Sequence, residues 1–285
     1  MIEATSEREL RAALGKWRGH GERIGFVPTM GALHDGHLSL VALARKHASR
    51  VVASIFVNPT QFGPGEDYLR YPRTPDADAD RLAANGCDLL FRPEVETVYP
   101  RGSTTRVRVE GPARGFEDER RPGHFEGVAT VVAALFGLVR PDAAVFGEKD
   151  AQQLAVVRTM VRDLHLGIEI LAAPIVREPD GLAMSSRNVY LSPEERRSAP
   201  ALYRALVAAR AAIESGERDA ARVVGLVQRT VGSEPLLTLE YAGVVDPETF
   251  VPVARLAGEV VLVVAARAGA TRATRLLDNL RLRIG

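Results

Sequence analysis

The stretch that decides the fold spans residues 24 to 38 and reads Ile-Gly-Phe-Val-Pro-Thr-Met-Gly-Ala-Leu-His-Asp-Gly-His-Leu. Its apolar start, Ile24 to Val27, is typical of a buried strand. Gly36 lets the backbone approach a ligand closely, and from Leu38 the apolar residues continue at helical spacing. The sequence therefore predicts a strand, a glycine turn and a helix start that carries two histidines.

A helix start of this kind favours an anion such as phosphate. Its first backbone N–H groups lack partners within the helix, and the helix dipole adds partial positive charge there. The rings of His34 and His37 could each donate an N–H to a phosphate oxygen whose charge grows as a bond to phosphorus breaks. A single histidine at such a place is more often a cap or a half-buried filler, but a pair after a strand and glycines favours function.

The composition is that of an ordinary globular protein. The chain has 285 residues, of which 46% are hydrophobic and 26% charged, enough for one large or two modest domains. The formal net charge is +1, from 37 basic and 36 acidic residues. This balance argues against a nucleic-acid partner.

Processing and location are inferred from the N-terminus and from the cysteine. Ser6 and Glu9 form a capping-box pattern before Leu10, which predicts an amphipathic helix and argues against a signal peptide. No apolar stretch is long enough to cross a bilayer, so no membrane role is expected. Cys87 has no cysteine to pair with and is expected to pack as a small hydrophobe. We therefore expect a soluble, unprocessed, cytoplasmic protein.

Short apolar runs alternate with helical segments through the first part of the chain. The runs are Ile24 to Val27, Val51 to Val57, Leu89 to Phe91, Ala143 to Phe146 and Ile168 to Ala172, and the helical segments are Leu38 to His47, Asp76 to Asn85, Phe125 to Val139 and Ala151 to Leu164. Such alternation predicts an α/β fold, a Rossmann-like parallel sheet with helices on both faces. Ligands bind outside the carboxyl ends of the strands in these sheets.

The pattern changes from Ser192 onward. A long Ala/Arg-rich helix, a second helix near Ala220 to Val231 and then several strands predict a smaller α+β C-terminal domain. The domains are expected to span residues 1–175 and 176–285.

A second cluster, Phe146 to Asp150, follows a predicted strand. Lys149 is one of only three lysines among the 37 basic residues, and a compact ammonium suits a single phosphate oxygen in a tight site. A surface charge paired with a neighbour is the alternative. Asp150 has two open interpretations, a helix cap or a carboxylate that accepts the hydroxyls of a ribose.

The third cluster is the loop of small residues from Gly181 to Asn188. The hydroxyls of Ser185 and Ser186 and the guanidinium of Arg187 could clamp the terminal phosphates of a nucleotide. Taken alone, this composition is also normal for a turn.

Together these segments resemble the pantoate–β-alanine ligase family, a branch of the nucleotidyltransferase group with a paired-histidine motif. The segments are Pro28 to His37, Phe56 to Phe62, Arg121 to Val128, Phe146 to Gln153 and Met184 to Asn188, in order along most of the first 190 residues. Asp35 stands where glutamate is common, a mild departure. The resemblance implies that ATP and pantoate give an enzyme-bound pantoyl adenylate and pyrophosphate. The amine of β-alanine then displaces AMP to give pantothenate.

The resemblance also assigns roles to residues. His37 takes the position of the proton donor, Gln61 would contact pantoate and β-alanine, and Gln153 would contact pantoate. The C-terminal domain would carry the Met-Ser-Ser-Arg loop as a lid over a nucleotide- and pantoate-binding first domain, and dimerisation of the chain is implied. ATP would be held by Met30, Gly31, Ala32, Leu33, His34, Asp35, Gly36, His37, Gly147, Glu148, Lys149, Asp150, Val176, Met184, Ser185, Ser186 and Arg187.

The chemistry of these side chains agrees with that assignment. Attack of a carboxylate on the α-phosphorus brings two anions together, so catalysis needs positive charge and N–H or O–H donors around the phosphorus. The candidates are His34, His37, Lys149, Ser185, Ser186 and Arg187, together with a magnesium ion. Neutral amides at Gln61 and Gln153 can bind pantoate without an ion pair that would weaken the nucleophile.

No metal site formed by the protein is expected. Asp76, Asp78 and Asp80 alternate along a predicted helix and cannot share one face, so we interpret them as a solvated first turn. Magnesium is expected to be carried by the nucleotide phosphates.

Three other functions compete with this interpretation. A transferase that moves a nucleotide onto a phosphoester would call for cationic residues where Gln61 and Gln153 stand. A nucleotide sensor on a dinucleotide-binding fold would need Gly-x-Gly-x-x-Gly after the first strand, where the chain has Thr-Met-Gly-Ala-Leu-His. An RNA-binding synthetase fragment would need a basic surface, which the net charge does not favour.

Overall fold

In the computed structural model, the deciding stretch forms a strand (Ile24–Thr29), a turn and a helix (Asp35–His47). The structure describes residues 1–270 and 273–285. These residues separate into two units, which are considered in turn. Unit 1 contains residues 1–148 and 156–174, and unit 2 contains residues 149–155 and 175–285.

Unit 1 is built on parallel strands joined by helices, as the alternating pattern predicts. Its strands are β1 (Ile2–Ala4), β2 (Ile24–Thr29), β3 (Arg50–Ile55), β4 (Leu89–Phe91), β5 (Ala143–Gly147) and β6 (Glu169–Ala173). The helices along the same part of the chain are α1 (Glu7–Gly19), α2 (Asp35–His47), α3 (Pro75–Ala84), α4 (Val95–Val98), α5 (Glu117–Arg120), α6 (His124–Val139) and α7 (Ala151–Asp163), and the last of these begins in unit 2.

The sheet order of unit 1 is β1-β4-β3-β2-β5-β6, with every pairing parallel. Strand β2 lies between β3 and β5, so the strand order changes direction beside it. Gly25 lies opposite Ala143 and Phe26 opposite Ala144 in the β2–β5 register. This register brings the carboxyl ends of β2 and β5, at Thr29 and Gly147, to the same edge of the sheet. In α/β sheets, ligands bind at such a point.

Helices cover both faces of the sheet, as predicted. Phe26 and Val27 point to opposite faces because successive side chains of a strand alternate. The ring of Phe26 packs edge-on against Phe136 of α6, with centroids 6.3 Å apart. Val27 belongs to the apolar cluster on the other face, which includes Val41 of α2 and Leu82 of α3. Cys87 packs in that same cluster, and its burial raises the pKa of the thiol to about 11.

The N-terminal segment confirms one expectation and adds a strand. Ser6 caps α1, and Glu9 completes the capping box that the sequence predicts. The strand β1 was not predicted, because three residues are too few to show a period. It pairs with β4, with Ile2 opposite Leu89. Among the described residues, no helix is both long enough and apolar enough to span a membrane.

Unit 2 is an α+β unit with an antiparallel sheet. Its helices are α8 (Pro193–Ser198), α9 (Ala201–Glu214) and α10 (Ala220–Gly232), and its strands are β7 (Leu237–Val245), β8 (Gly258–Ala268) and β9 (Thr274–Ile284), in the order β7-β8-β9. The prediction of one long helix from Ser192 is wrong. Proline cannot donate the backbone hydrogen bond that would continue a helix, and Pro200 separates α8 from α9.

Helix α6 approaches the 3-10 turn Pro59–Gln61 at Gly127. A Cβ added at Gly127 would lie 2.6 Å from the carbonyl carbon of Thr60 and 2.8 Å from the Cα of Gln61. The carbonyl of Gly127 also accepts a hydrogen bond from the Asn58 side chain, at 3.1 Å. Only glycine therefore fits where the helix meets this turn.

We expect Gly127→Ala to lower the free energy of unfolding by about 1–3 kcal/mol, because the methyl group overpacks a backbone contact. Gly137 is the matched control on the same helix, since a Cβ there meets nothing within 4 Å. Gly137→Ala should instead stabilise the protein by up to about 1 kcal/mol through helix propensity. Chemical denaturation of both variants measures the difference, and equal free energies of unfolding would contradict the packing argument.

Candidate active site

The two histidines form the cap of α2. His34 is the N-cap residue, and its Nδ1 accepts a hydrogen bond from the N–H of Gly36 at 3.2 Å. The Nδ1 of His37 accepts in turn from the N–H of His34 at 3.3 Å. The ring centroids lie 4.1 Å apart. The two imidazoles are thus held side by side in the first turn, as the sequence predicts.

This cap decides which ring nitrogen of each histidine carries a proton. A nitrogen that accepts a hydrogen bond has no proton of its own, so neutral His34 and His37 both carry theirs on Nε2. The cap also uses the N–H of Gly36, one of the backbone donors at this helix start that were expected to bind an anion. An imidazole Nε2–H group is itself a donor of a kind that suits a phosphate oxygen.

The turn before the histidines is held by a buried carboxylate. Gly31 and Ala32 both have positive φ, 84° and 50°, which is uncommon for alanine. The carboxylate of Asp78 accepts hydrogen bonds from the N–H of Ala32 and from the N–H of Leu33, each at 2.8 Å. The hydroxyl of Thr74 donates to it as well, at 3.1 Å. Asp78 fixes the backbone that leads directly into the histidine cap.

The prediction of a solvated acidic turn is therefore wrong for Asp78, although Asp76 and Asp80 are exposed. Asp78 is only 2% exposed. A signal in the sequence could have revealed this. Leu82 is one helical turn away at i+4 and fully buried, so the two residues share the inward face of α3.

Gln61 is oriented by two neighbours. The Asn58 side chain donates to its Oε1 at 3.0 Å, and its Nε2 donates to the sulfur of Met30 at 3.2 Å. Asn58 is itself fixed, because its Oδ1 accepts from the hydroxyls of Thr60 and Tyr99 at 2.9 and 2.8 Å. The structure thus brings together two predicted site residues, Met30 and Gln61. Asn58 was not among the residues predicted to belong to the site.

The backbone of Gln61 is held by the Arg-Pro-Gly-His segment. The carbonyl of Gln61 accepts from Nδ1 of His124 at 2.9 Å and from the guanidinium of Arg121 at 3.3 Å. Nε2 of His124 must then accept from Arg121, since a guanidinium only donates. Burial and the charge of Arg121 lower the pKa of His124 to about 4. His124 is therefore neutral at pH 7, with one fixed tautomer.

Arg121 also anchors the chain that follows Gln61. Its guanidinium makes a bidentate ion pair with Glu66, at 2.8 and 2.7 Å. Burial opposes ionisation of Glu66, but the hydrogen bonds and charge of Arg121 outweigh it and leave the pKa of Glu66 below its usual value. Arg121 thus connects the start of α6 to both Gln61 and Glu66.

The lysine cluster starts at the end of β5 and continues into unit 2. Gly147 and Glu148 belong to unit 1, whereas Lys149 begins the 149–155 segment of unit 2. Residues Glu148–Asp150 form a 3-10 turn before α7, and the side chain of Asn279 donates to the carbonyl of Lys149 at 2.9 Å. Asp150 is exposed and Gln153 is half-buried on α7.

The remaining predicted residues lie on a hairpin and the loop that follows it. The N–H of Met184 donates to the carbonyl of Val176 at 3.0 Å, so the structure pairs these two residues across the hairpin. Ser185 caps the 3-10 turn Ser186–Tyr190 by accepting from the N–H of Arg187 at 3.3 Å. Asn188 closes the loop by donating to the carbonyl of Ala183 at 3.1 Å. The serines and the arginine are thus held in one short turn.

Within the described ranges, no group of three or more His, Cys, Asp or Glu side chains could hold a metal ion. Asp78 illustrates the reason, because its carboxylate is used by backbone N–H groups.

Comparisons with known proteins identify a family. The family model described as "Pantoate-beta-alanine ligase" matches residues 3–281. Among curated proteins, the pantothenate synthetase of Heliobacterium modesticaldum is 51% identical over 275 residues, which are 96% of this chain and 97% of that protein. The pantothenate synthetase of Rubrobacter xylanophilus is 52% identical over 285 residues, 97% of each chain.

Solved structures lead to the same group. Pantothenate synthetase from Thermus thermophilus superposes with a TM-score of 0.92 at 52% identity, over 98% of this chain and 99% of that one. Pantoate-beta-alanine ligase from Francisella tularensis, complexed with beta-gamma ATP and beta-alanine, has a TM-score of 0.78 at 32% identity, over 98% and 97% of the two chains. Fold and comparisons together define a ligase that forms an amide bond. The chain belongs to the pantoate–β-alanine ligase family.

We expect Asp78→Ala to lower the free energy of unfolding by about 2–5 kcal/mol, because the N–H groups of Ala32 and Leu33 lose the carboxylate that accepts their hydrogen bonds. Asp76→Ala is the matched control on the same helix, at an exposed position, and should change stability by no more than about 0.5 kcal/mol. Urea denaturation of both variants measures the difference. If the two variants were equally stable, Asp78 would not be holding the turn.

Proposed function

We propose that the chain catalyses ATP-dependent condensation of pantoate with β-alanine, giving pantothenate, AMP and pyrophosphate through a pantoyl adenylate. The observation that carries the proposal is the family match over residues 3–281. The motifs that form the caps and turns of both units lie within that match.

In the first step, a carboxylate oxygen of pantoate forms a bond to the α-phosphorus of ATP, and the bond from that phosphorus to the β-phosphate oxygen breaks. Negative charge grows on the phosphate oxygens. We propose that Nε2–H of His37 serves as the proton donor there and that Nε2–H of His34 contacts the phosphates. The ring positions support these roles, since the cap directs both protons to Nε2. Met30 to Leu33, Asp35 and Gly36 would complete the ATP contacts in unit 1.

In unit 2, we propose that Lys149, Ser185, Ser186 and Arg187 offset charge on the triphosphate. The capped turn at Ser185 supports this role, because it presents hydroxyls and a guanidinium from one fixed loop. Gly147, Glu148, Asp150, Val176 and Met184 are the further ATP contacts in the proposal. The action of residues 176–285 as a lid stays a prediction. Mg²⁺ would enter as part of the ATP substrate and neutralise phosphate charge.

In the second step, the amine of β-alanine attacks the acyl carbon, the bond from that carbon to AMP breaks, and the amine loses a proton. Gln61 is proposed to contact both pantoate and β-alanine, and Gln153 to contact pantoate. An amide nitrogen carries two N–H groups, and Met30 takes one of those of Gln61. The second N–H is a neutral donor for a hydroxyl or carboxylate oxygen. It can therefore bind pantoate without placing a cation beside the pantoate carboxylate, the nucleophile of the first step.

The assembly and location of the protein are part of the same proposal. A homodimer follows from the resemblance to the family, and a cytoplasmic location fits the single buried thiol of Cys87. The balance of charge, +1 overall, supports small-molecule substrates over nucleic acid.

The purified protein should exchange labelled pyrophosphate into ATP when pantoate is present and β-alanine is absent. Formation of a bound adenylate is reversible before the amine arrives, and label therefore returns to ATP. Omission of pantoate is the control. Normal overall ligation without any exchange would contradict the adenylate step.

Lys149→Ala and His37→Ala should each slow this exchange by about 100- to 1,000-fold, the effect of removing one donor to a developing oxyanion. Lys46→Ala and His47→Ala are matched controls at exposed positions of α2 and should keep full activity. Lys149→Arg should stay impaired, because a planar guanidinium does not replace a compact ammonium. Near-normal turnover in a folded Lys149→Ala or His37→Ala variant would contradict the role assigned to that residue.

A further inference from the structure

A buried polar network in unit 2 connects strand β9 to the turn at Lys149 (the lysine turn) and to a hairpin of residues 176–184. This hairpin precedes residues 185–187 (the serine loop). Its members on β9 are Asp278 and Asn279, which are both 4% exposed. Successive residues of a strand point to opposite sides, so the two side chains reach different partners. Asp278 contacts Arg177, and Asn279 contacts the backbone of Lys149.

The Arg177 end of the network fixes the hairpin. Its guanidinium makes a bidentate ion pair with Asp278, at 2.6 and 2.9 Å, and donates to the carbonyl of Gly181 at 3.0 Å. It also lies over the ring of Tyr203, 4.0 Å from the centroid. Because Gly181 is the turn of the hairpin that ends at Met184, Arg177 joins β9 to the segment that leads into Ser185.

The Asn279 end fixes the lysine turn. The N–H of Asn279 donates to Asp278 at 2.7 Å, and its side-chain nitrogen donates to the carbonyl of Lys149 at 2.9 Å. Burial raises the pKa of Asp278, and the hydrogen bonds and charge of Arg177 oppose that rise, as does the charge of Lys149.

We propose that Asn279 is a positioning residue for Lys149, and that the Arg177–Asp278 pair holds the hairpin of the serine loop against the same strand. One strand then supports the two parts of unit 2 proposed to bind the triphosphate. A substitution at Asn279 keeps the Lys149 side chain itself but removes the hydrogen bond to the Lys149 carbonyl. The ammonium of Lys149 is then no longer held in one position. The position of Lys149 follows from its contact with Asn279, and the importance of that position for catalysis rests on the proposed function.

The chain contains only three lysines, Lys16, Lys46 and Lys149, which makes a direct measurement of position practical. Protein labelled with ¹³C,¹⁵N-lysine gives three sets of lysine NMR signals, and the set lost in Lys149→Arg belongs to Lys149. The test variant is Asn279→Asp, which keeps the size of the side chain and removes its N–H donor. Arg275→Gln is the control, since it breaks the Arg275–Glu240 ion pair on the same strand, four residues away.

In folded Asn279→Asp protein, the backbone amide and side-chain signals of Lys149 should shift or broaden, while those of Lys16 and Lys46 stay unchanged. Arg275→Gln should leave all three sets in place. Unchanged Lys149 signals in Asn279→Asp would overturn the inference, and this outcome does not depend on whether the protein has the proposed activity. Asn279→Ala is the second variant, should the new carboxylate prevent folding.

The catalytic consequence is tested by pyrophosphate–ATP exchange in two backgrounds. Asn279→Asp should slow exchange by about 10- to 100-fold in the wild-type background, as expected for a displaced catalytic group. It should have little further effect when Lys149 is already alanine, because residues that act through one another are not additive. An equal loss in both backgrounds would show that Asn279 acts through general structure and would overturn the proposal.

Discussion

The carboxylate of Asp78 is the constraint on which the turn before α2 and the histidine cap of unit 1 depend. Residues Gly31 and Ala32 take a left-handed backbone, which turns the N–H groups of Ala32 and Leu33 away from both the strand and the helix. Buried N–H groups need an acceptor, and Asp78 supplies it from another helix. The histidine cap of α2 follows directly from this turn. Its geometry is thus fixed by a residue more than forty positions away in the chain.

A similar arrangement recurs at other candidate residues in each unit. Gln61 is held through its side chain by Asn58 and through its carbonyl by Arg121 and His124. In unit 2, the hairpin before Ser185 is held by Arg177. In each case the residue proposed to meet the substrate lies on a turn, and a buried or half-buried polar side chain holds that turn in place. Supporting hydrogen bonds of this kind keep reacting groups within the small errors of position that catalysis tolerates.

Much of this could be predicted from the sequence, because it depends on local pattern. The strand and helix before and after His34, the Ser6 cap and the helices on both faces follow from hydrophobic period and capping residues. The supports could not be predicted in the same way. Asp78 and Asn279 contact segments more than forty positions away, and Asn58, which is near Gln61 in the chain, is itself fixed by the distant Tyr99 and Gly127. Strand β1 was too short to show a period, and Pro200 breaks a helix whose composition otherwise continues.

Residues 149–155 belong to unit 2, although unit 1 precedes and follows them in the chain. This affects how segments of this enzyme can be exchanged with those of a relative, in evolution or by design. Helix α7 starts in one unit and ends in the other, so the chain passes between the units at 148/149, 155/156 and 174/175. The units are therefore not modules that a single crossover can exchange. A chimera joined at residue 175 would take Lys149 from one parent and Asn279 from the other. The hydrogen bond from Asn279 to the carbonyl of Lys149 would then join residues of different origin.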